Sequence, residues 1–328
     1  MNKLLLPFLL LLIILPVGAN MPSGFGFDDE EDETPPVVRS EPDPMRAMLT
    51  ALIAEVPSVQ QVNLPLAEDQ QFLALEIKAL RPRPRGQLLI LPADGLHPDW
   101  PQAIAPVRRN LPEYGWTTLS LSLPVYKALG VAPRTLPPGP LLARMTSKIQ
   151  PLDNATEKGE AAMPGGMLGM QEEEEEAPVV VEREDPAVRL TAHRELIEAR
   201  VAAALEHLGP GGRKGLVLQG ESVYWLQPWL EAGNLNRRSP LILLQVESPE
   251  GADASSLVTT LQQLGNRPIL DIYDARNARQ QYLADERKAA YRRAGNRQAV
   301  QMPMNFDQSS AVANHWLAQR IEGWLRSL

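Results

Sequence analysis

The stretch with the clearest chemical potential is Gly215-Leu216-Val217-Leu218-Gln219-Gly220-Glu221-Ser222-Val223-Tyr224. An apolar run meets a glycine-flanked serine and then a helical pattern, which predicts a strand, a sharp turn and a helix. A serine on such a turn can be lifted above a sheet as the nucleophile of acyl transfer, within the pattern G-x-S-x-G. Here Tyr224 stands where the second glycine belongs. A serine nucleophile also needs a base and an acid that holds the base. Asp271 and Asp274 close a later apolar run and are alternative acids, each with helix capping or a solvated loop as its plain structural role. Only four histidines are present. His315 lies beside Trp316 in an amphipathic pattern, whereas His193 and His207 read as surface residues of an earlier helix. His97, with Gly95 nearby, sits in the loop after an early apolar run, where backbone donors for an oxyanion are expected. Gly95, His97 and Tyr224 are therefore candidates for a ligand loop.

The elements that must carry these residues alternate. Gln87 to Leu91 and Trp116 to Leu121 read as buried strands around a helix that Asp99 could cap, with Pro101 in its first turn. After Pro186, a helical stripe of Leu190, Ile197, Val201, Leu205 and Leu208 leads to the serine strand, whose own helix is expected to run to Gly233. Strands follow at Leu241 to Val246, Pro268 to Asp274 and Gln298 to Met302, with a basic helix from Ala275 to Arg293 and a terminal helix striped by Leu317, Ile321 and Trp324. Strand–helix alternation at this spacing predicts an α/β fold: an α/β-hydrolase-like, mostly parallel sheet flanked by helices. Its chain order of serine, acid and histidine would also be met.

The remaining sequence bounds the setting. Lys3, the apolar run Leu4 to Val17 and Gly18-Ala19 have the layout of a signal peptide over residues 1–19, with cleavage near Ala19 and the periplasm as destination. Residues 20–44 read as a disordered acidic leader and 45–328 as one domain, interrupted at about 136–185 by a disordered insert rich in proline, glycine and glutamate. The net charge of −8 is concentrated in the runs Asp28 to Glu33 and Glu172 to Glu176. No basic stripe with interleaved aromatics is present, which argues against nucleic acid as a partner. The absence of cysteine excludes disulfides and thiolate metal sites, and no metal or other cofactor is expected. The basic helix carrying Arg276, Arg279, Arg287, Lys288, Arg292 and Arg293 could meet the acidic run or an anionic membrane surface.

Leu91-Pro92, His97-Pro98-Asp99-Trp100-Pro101, Arg108, Leu111 and Tyr114-Gly115-Trp116-Thr117-Thr118-Leu119-Ser120-Leu121 resemble the N-terminal signature of the DUF3530 family. The closing segment Arg320-Ile321-Glu322-Gly323-Trp324-Leu325 resembles that family's end. The resemblance implies an exported bacterial protein with an α/β-hydrolase-like fold and no established substrate or catalytic set. The combined expectation is a periplasmic protein that binds a small molecule or an envelope protein. The alternative is an esterase-type serine hydrolase using Ser222, Asp271 or Asp274, and His315.

Overall fold

A computed structural model describes residues 43–66, 70–126, 185–249, 254–306 and 311–328. The expected signal peptide, the acidic leader apart from Asp43 and Pro44, and the low-complexity insert apart from Asp185 lie outside the described residues; Asp43 and Pro44, expected within the disordered leader, instead cap and begin a helix. Eight strands form one sheet: β1 (Gln61–Pro65), β2 (Gln71–Ile77), β3 (Gly86–Leu91), β4 (Trp116–Leu121), β5 (Lys214–Gln219), β6 (Leu241–Leu244), β7 (Ile269–Asp274) and β8 (Ala299–Met304), ordered β1-β2-β4-β3-β5-β6-β7-β8. β2 runs antiparallel to β1 and β4, and every pairing from β4 to β8 is parallel. This is the α/β-hydrolase-like sheet that the sequence predicts.

Alternation along the strands builds two cores. Leu89 and Leu91 of β3, Leu216 and Leu218 of β5, and Leu241 and Leu243 of β6 face one side. There they meet Ile197, Val201 and Ala204 of helix α3 (Pro186–His207). Leu88, Ile90, Val217, Ile242, Leu270 and Ile272 face the other side. They pack on α2 (Ile104–Asn110) and on Leu317, Ile321 and Trp324 of α8 (Ala311–Ser327). The strands are apolar on both faces because helices cover both, the burial expected of a parallel sheet. Helix α1 (Pro44–Glu55) precedes the sheet, with Asp43 Oδ1 accepting from the Met45 and Arg46 amides, and α6 (Ala254–Gln263) falls between β6 and β7 in the chain.

Two helices differ from expectation. The helix after β5 does not run unbroken to Gly233; it divides into α4 (Ser222–Trp225) and α5 (Gln227–Glu231). Pro228 lacks an amide proton and cannot continue the bonding of a preceding helix, but it is tolerated in the first turn of a new one. Asp99 does not cap α2, which begins at Ile104 after Ala103 with φ of 63°. Instead Asp99 is buried in an ion pair with Arg108, whose Nε and Nη2 lie 2.8 and 2.7 Å from Oδ1, and Arg109 adds a further bond. Arg108 Nη1 also donates to Gln60 Oε1 at 2.8 Å, and its carbonyl accepts from Thr118 Oγ1 at 2.8 Å. Two residues of the resemblance, Asp99 and Arg108, therefore act together as a strut between the β3 loop, α2 and β4.

Breaking one partner of a buried ion pair leaves the other charge uncompensated, at a cost of about 3–5 kcal/mol. Asp99→Ala should lower the free energy of unfolding by an amount of that order, and Arg108→Met, which leaves Asp99 partly held by Arg109, should lower it less. Urea unfolding of the two variants checks this ordering.

Candidate functional site

The carboxyl ends of β3 and β5 lie side by side, so their loops must share one small volume. Leu91 is paired with Leu218, and each strand then leaves the sheet. The turn after β5 takes its left-handed residue at Gly220, with φ of +57°. A Cβ there would stand 2.6 Å from the Ala93 Cβ of the β3 loop. The backbone angle disfavours a side chain at this point, and the crossing β3 loop leaves no room for one. In a nucleophile elbow the sharp residue of the strand-to-helix turn is the one that projects its side chain. Here that place is filled by glycine, and Ser222 has already entered α4.

Ser222 is completely buried. Its Oγ donates to the Gln219 carbonyl at 2.7 Å, with the Leu91 carbonyl at 3.4 Å. Centred on Gly220, the small Ser222 occupies the position of the motif's closing glycine. The sequence signal for this frame is that Gly220 directly follows the last residue of β5, whereas Ser222 stands two residues further on.

The other sequence candidates are scattered. Asp271 is fully buried and bidentate to Arg287 of α7 (Ala278–Arg293), at 2.8 Å from Nε and 2.9 Å from Nη2. Tyr291 Oη and Gln301 Nε2 also donate to its Oδ2, at 3.2 and 2.8 Å. Burial pulls the Arg287 pKa down, and Asp271 more than offsets it, so the guanidinium stays charged and is absent from the basic surface expected of this helix. Asp274 organises the turn into α7: its Oδ1 accepts from the Arg276 amide at 2.9 Å. His315 is exposed and bonds Gln319 through Nε2 at 2.9 Å. Among the described residues, no hydrogen bond joins Ser222 to a histidine or to either aspartate.

Of the ligand-loop candidates, Gly95 is left-handed with φ of +72° and open space where a Cβ would stand. His97 is tied into its own loop, its Nδ1 accepting from the Asp99 amide at 3.2 Å and its ring edge-on to Trp100. Tyr224 is buried in the core, and its carbonyl accepts from Arg194 Nη2 of α3 at 3.5 Å.

A histidine that the sequence reading treats as a surface residue lies closest to the elbow helix. His193 is buried, with its ring edge-on to Tyr126 and Trp225 at centroid distances of 5.2 and 4.9 Å. Burial, then Arg200 and Arg194, lower its pKa to about 4, so it is neutral at pH 7. The helical stripe of α3 could have indicated this, because His193 falls one turn before Ile197 on the same face.

Backbone donors at the β3 loop, the ordinary material of an oxyanion hole, are already engaged. The Ala93 amide donates to Gln219 Oε1 at 3.4 Å and the Asp94 amide to Glu221 Oε2 at 3.3 Å. The Glu221 amide bonds its own carboxylate. A carboxylate thus occupies the place where an oxyanion would have to gather. Burial raises the Glu221 pKa, and Glu247 and Asp94 raise it further; burial likewise raises that of Asp94, whose Oδ1 accepts from the Tyr126 amide at 3.0 Å. Among the described residues, no group of three histidine, aspartate or glutamate side chains is arranged to hold a metal ion.

An eight-stranded α/β-hydrolase-like sheet with a glycine at its elbow defines the class. The chain belongs to the family described as protein of unknown function DUF3530, matched over residues 6–327. Solved structures of similar shape include Est1E from Butyrivibrio proteoclasticus, at 9% identity and a TM-score of 0.47, covering 81% of this chain and 99% of that one. An alpha-beta serine hydrolase homologue from Coxiella burnetii is 12% identical with a TM-score of 0.46, covering 83% and 99%. The esterase domain of a Rhodothermus marinus protein is 10% identical with a TM-score of 0.46, covering 81% and 97%. The fold assignment rests on the strand order, and these likenesses add no chemistry to it. No curated protein is significantly similar in sequence.

The raised pKa of Glu221 has a definite sign in stability. The native state holds a proton more tightly than the unfolded chain, whose glutamate titrates near 4.5. The stability that Glu221 contributes is therefore complete below that pH and is lost as pH rises through the higher folded value. Glu221→Gln keeps an acceptor for the Asp94 amide and removes the charge. Its melting temperature should exceed that of the parent at pH 7 and match it at pH 4.

Proposed function

We propose that this protein is an exported, non-catalytic member of the hydrolase-like folds that works by binding a ligand or an envelope partner. The observation that carries the reading is the position of the elbow. Its left-handed residue is Gly220, and the nearby serine oxygen is buried, with its proton given to the Gln219 carbonyl. General-base activation needs a base within about 2.6–3.2 Å of the hydroxyl. Within that distance Ser222 Oγ has the Gln219 carbonyl at 2.7 Å and, among the described residues, no imidazole; the Leu91 carbonyl stands further off at 3.4 Å.

The engaged β3-loop amides support the same reading. An oxyanion forming beside the Glu221 carboxylate would meet repulsion in place of donors. The periplasm is proposed as the site of action because the N-terminal sequence has a charged start, an apolar run and small residues in signal-peptide order. Esterase chemistry at Ser222 would require the oxygen to leave the core and a histidine to reach it.

A fluorophosphonate probe discriminates between these readings, since it labels a serine only when the oxygen is activated and accessible. The intact protein should give no labelling above the heat-denatured control, and Ser222→Ala should leave that baseline unchanged. A labelled band that disappears in Ser222→Ala would establish the esterase alternative.

A further inference from the structure

The opposite end of the strands carries a feature that the elbow does not explain. Where β5, β6, β7 and β8 begin, their leading loops enclose a cleft of about 940 Å³. Its lining includes four cationic side chains, Arg213, Lys214, Arg237 and Arg238, and no aspartate or glutamate. None of the four has an ion-pair partner among the described residues. Lys214 Nζ donates to the Gly209 carbonyl, and like charges this close repel one another, so the arrangement persists because the backbone beneath is fixed.

Arg267 fixes it. This residue is 3% exposed, and its Nη1 and Nη2 donate to the Asn236 and Leu235 carbonyls at 2.9 and 3.0 Å. The loop bearing Arg237 and Arg238 is thereby pinned from behind, and Asn236 Oδ1 shapes it further by accepting from the Arg238 amide at 2.9 Å. On the other wall, the Arg213 carbonyl accepts from the Gln87 amide at 2.8 Å and anchors that residue to β3.

Arg267 is also a buried cation whose acceptors, among the described residues, are those two carbonyls. It lines an adjoining cleft of about 490 Å³ that shares Leu235, Asn236 and Arg237 with the larger one and also takes in Glu231, whose Oε1 accepts from Thr260 Oγ1 at 2.6 Å. Its Nε is buried without a hydrogen-bond partner, and no carboxylate pairs with the guanidinium among the described residues. Burial, and then Arg237, depress its pKa, the signature of a buried cation beside a second cation. Buried charges in folded proteins are ordinarily paired.

We propose that this cleft is a binding site for a phosphate ester. Several cations exceed what one carboxylate can neutralise, whereas a phosphate monoester carries about −1.5 to −2 charge and three acceptor oxygens at pH 7. Arginine forks suit such oxygens in bidentate fashion. Asn234, Asn266 and Gln298 add neutral amides to the lining, suited to the hydroxyls of a polyol attached to the phosphate. The volume falls within the range of roughly 300–1,000 Å³ typical of small-ligand sites. The inference stands apart from the reading of the elbow, because the two features lie at opposite ends of the strands.

Phosphorylated polyols occur as soluble sugar phosphates and as lipid headgroups, and the test separates them. The full chain is titrated at low salt with glucose 6-phosphate and with glucose, and is sedimented with vesicles of phosphatidylcholine that contain phosphatidylinositol 4-phosphate, a lipid headgroup with a phosphate monoester on a polyol, or phosphatidylinositol. Binding to glucose 6-phosphate but not glucose supports the site with a soluble ligand. Binding to phosphatidylinositol 4-phosphate but not phosphatidylinositol supports it with a lipid headgroup. In either case the surface variant Arg237→Ala/Arg238→Ala should weaken binding at least about tenfold, while Arg279→Ala/Lys288→Ala, an equal loss of charge on α7, should change it less than about twofold. Failure of both phosphate probes to bind, or an equal loss in the two double variants, would overturn the proposal.

Discussion

The close approach of Gly220 to Ala93 is the constraint on which the site depends. Two adjacent parallel strands end together, and their loops cross at a distance that leaves no room for a β-carbon on the later one. The left-handed angle at Gly220 is affordable only to glycine without strain, so the sharpest point of the turn carries no side chain. From that single fact the rest follows. The next residue outward, Glu221, turns its carboxylate back onto the β3-loop amide, and Ser222 falls into the core at the start of α4.

Structural duties also absorb the polar groups that a hydrolase would keep free. Asp271 lies on a late strand, on the side of the sheet where a triad acid could be sought, yet all its acceptor capacity goes to Arg287, Tyr291 and Gln301. That network joins β7, α7 and β8. Asp99 and Arg108 make a comparable bond on the other face, between the β3 loop and α2. Both are buried pairs in which either partner alone would be costly, so the residues are held by mutual need and not by a ligand.

The sheet was legible because buried parallel strands read as continuous apolar runs, as in Leu88 to Leu91 and Leu241 to Leu244. The strand β1 was not, since its five residues include Pro65 and bury only Leu64 fully, a composition that an edge strand tolerates and a pattern search passes over. The elbow's frame was misread for a different reason. A serine two residues after a glycine draws attention by its chemistry, while the decisive property, which residue takes positive φ, depends on where pairing with β3 and β6 stops. Asp271 was legible as a carboxylate on a late strand but not in its place there: it lies mid-strand, paired with Leu243 and Gln301, and only Asp274 ends β7. Its partner Arg287 is 16 residues away along the chain and reads in the sequence as one charge among many on a basic helix.

The central claim, that the turn is built around a residue without a side chain, can be tested in the backbone itself. Gly220→Ala should lower the melting temperature, with at least the roughly 1–2 kcal/mol that a left-handed alanine costs and more from contact with Ala93. Ala93→Gly in the same chain should recover the part due to contact. The decisive measurement is calorimetric unfolding of Gly220→Ala, with and without Ala93→Gly. The account predicts a marked loss that is partly restored in the double variant; a melting temperature equal to that of the parent in Gly220→Ala would contradict it.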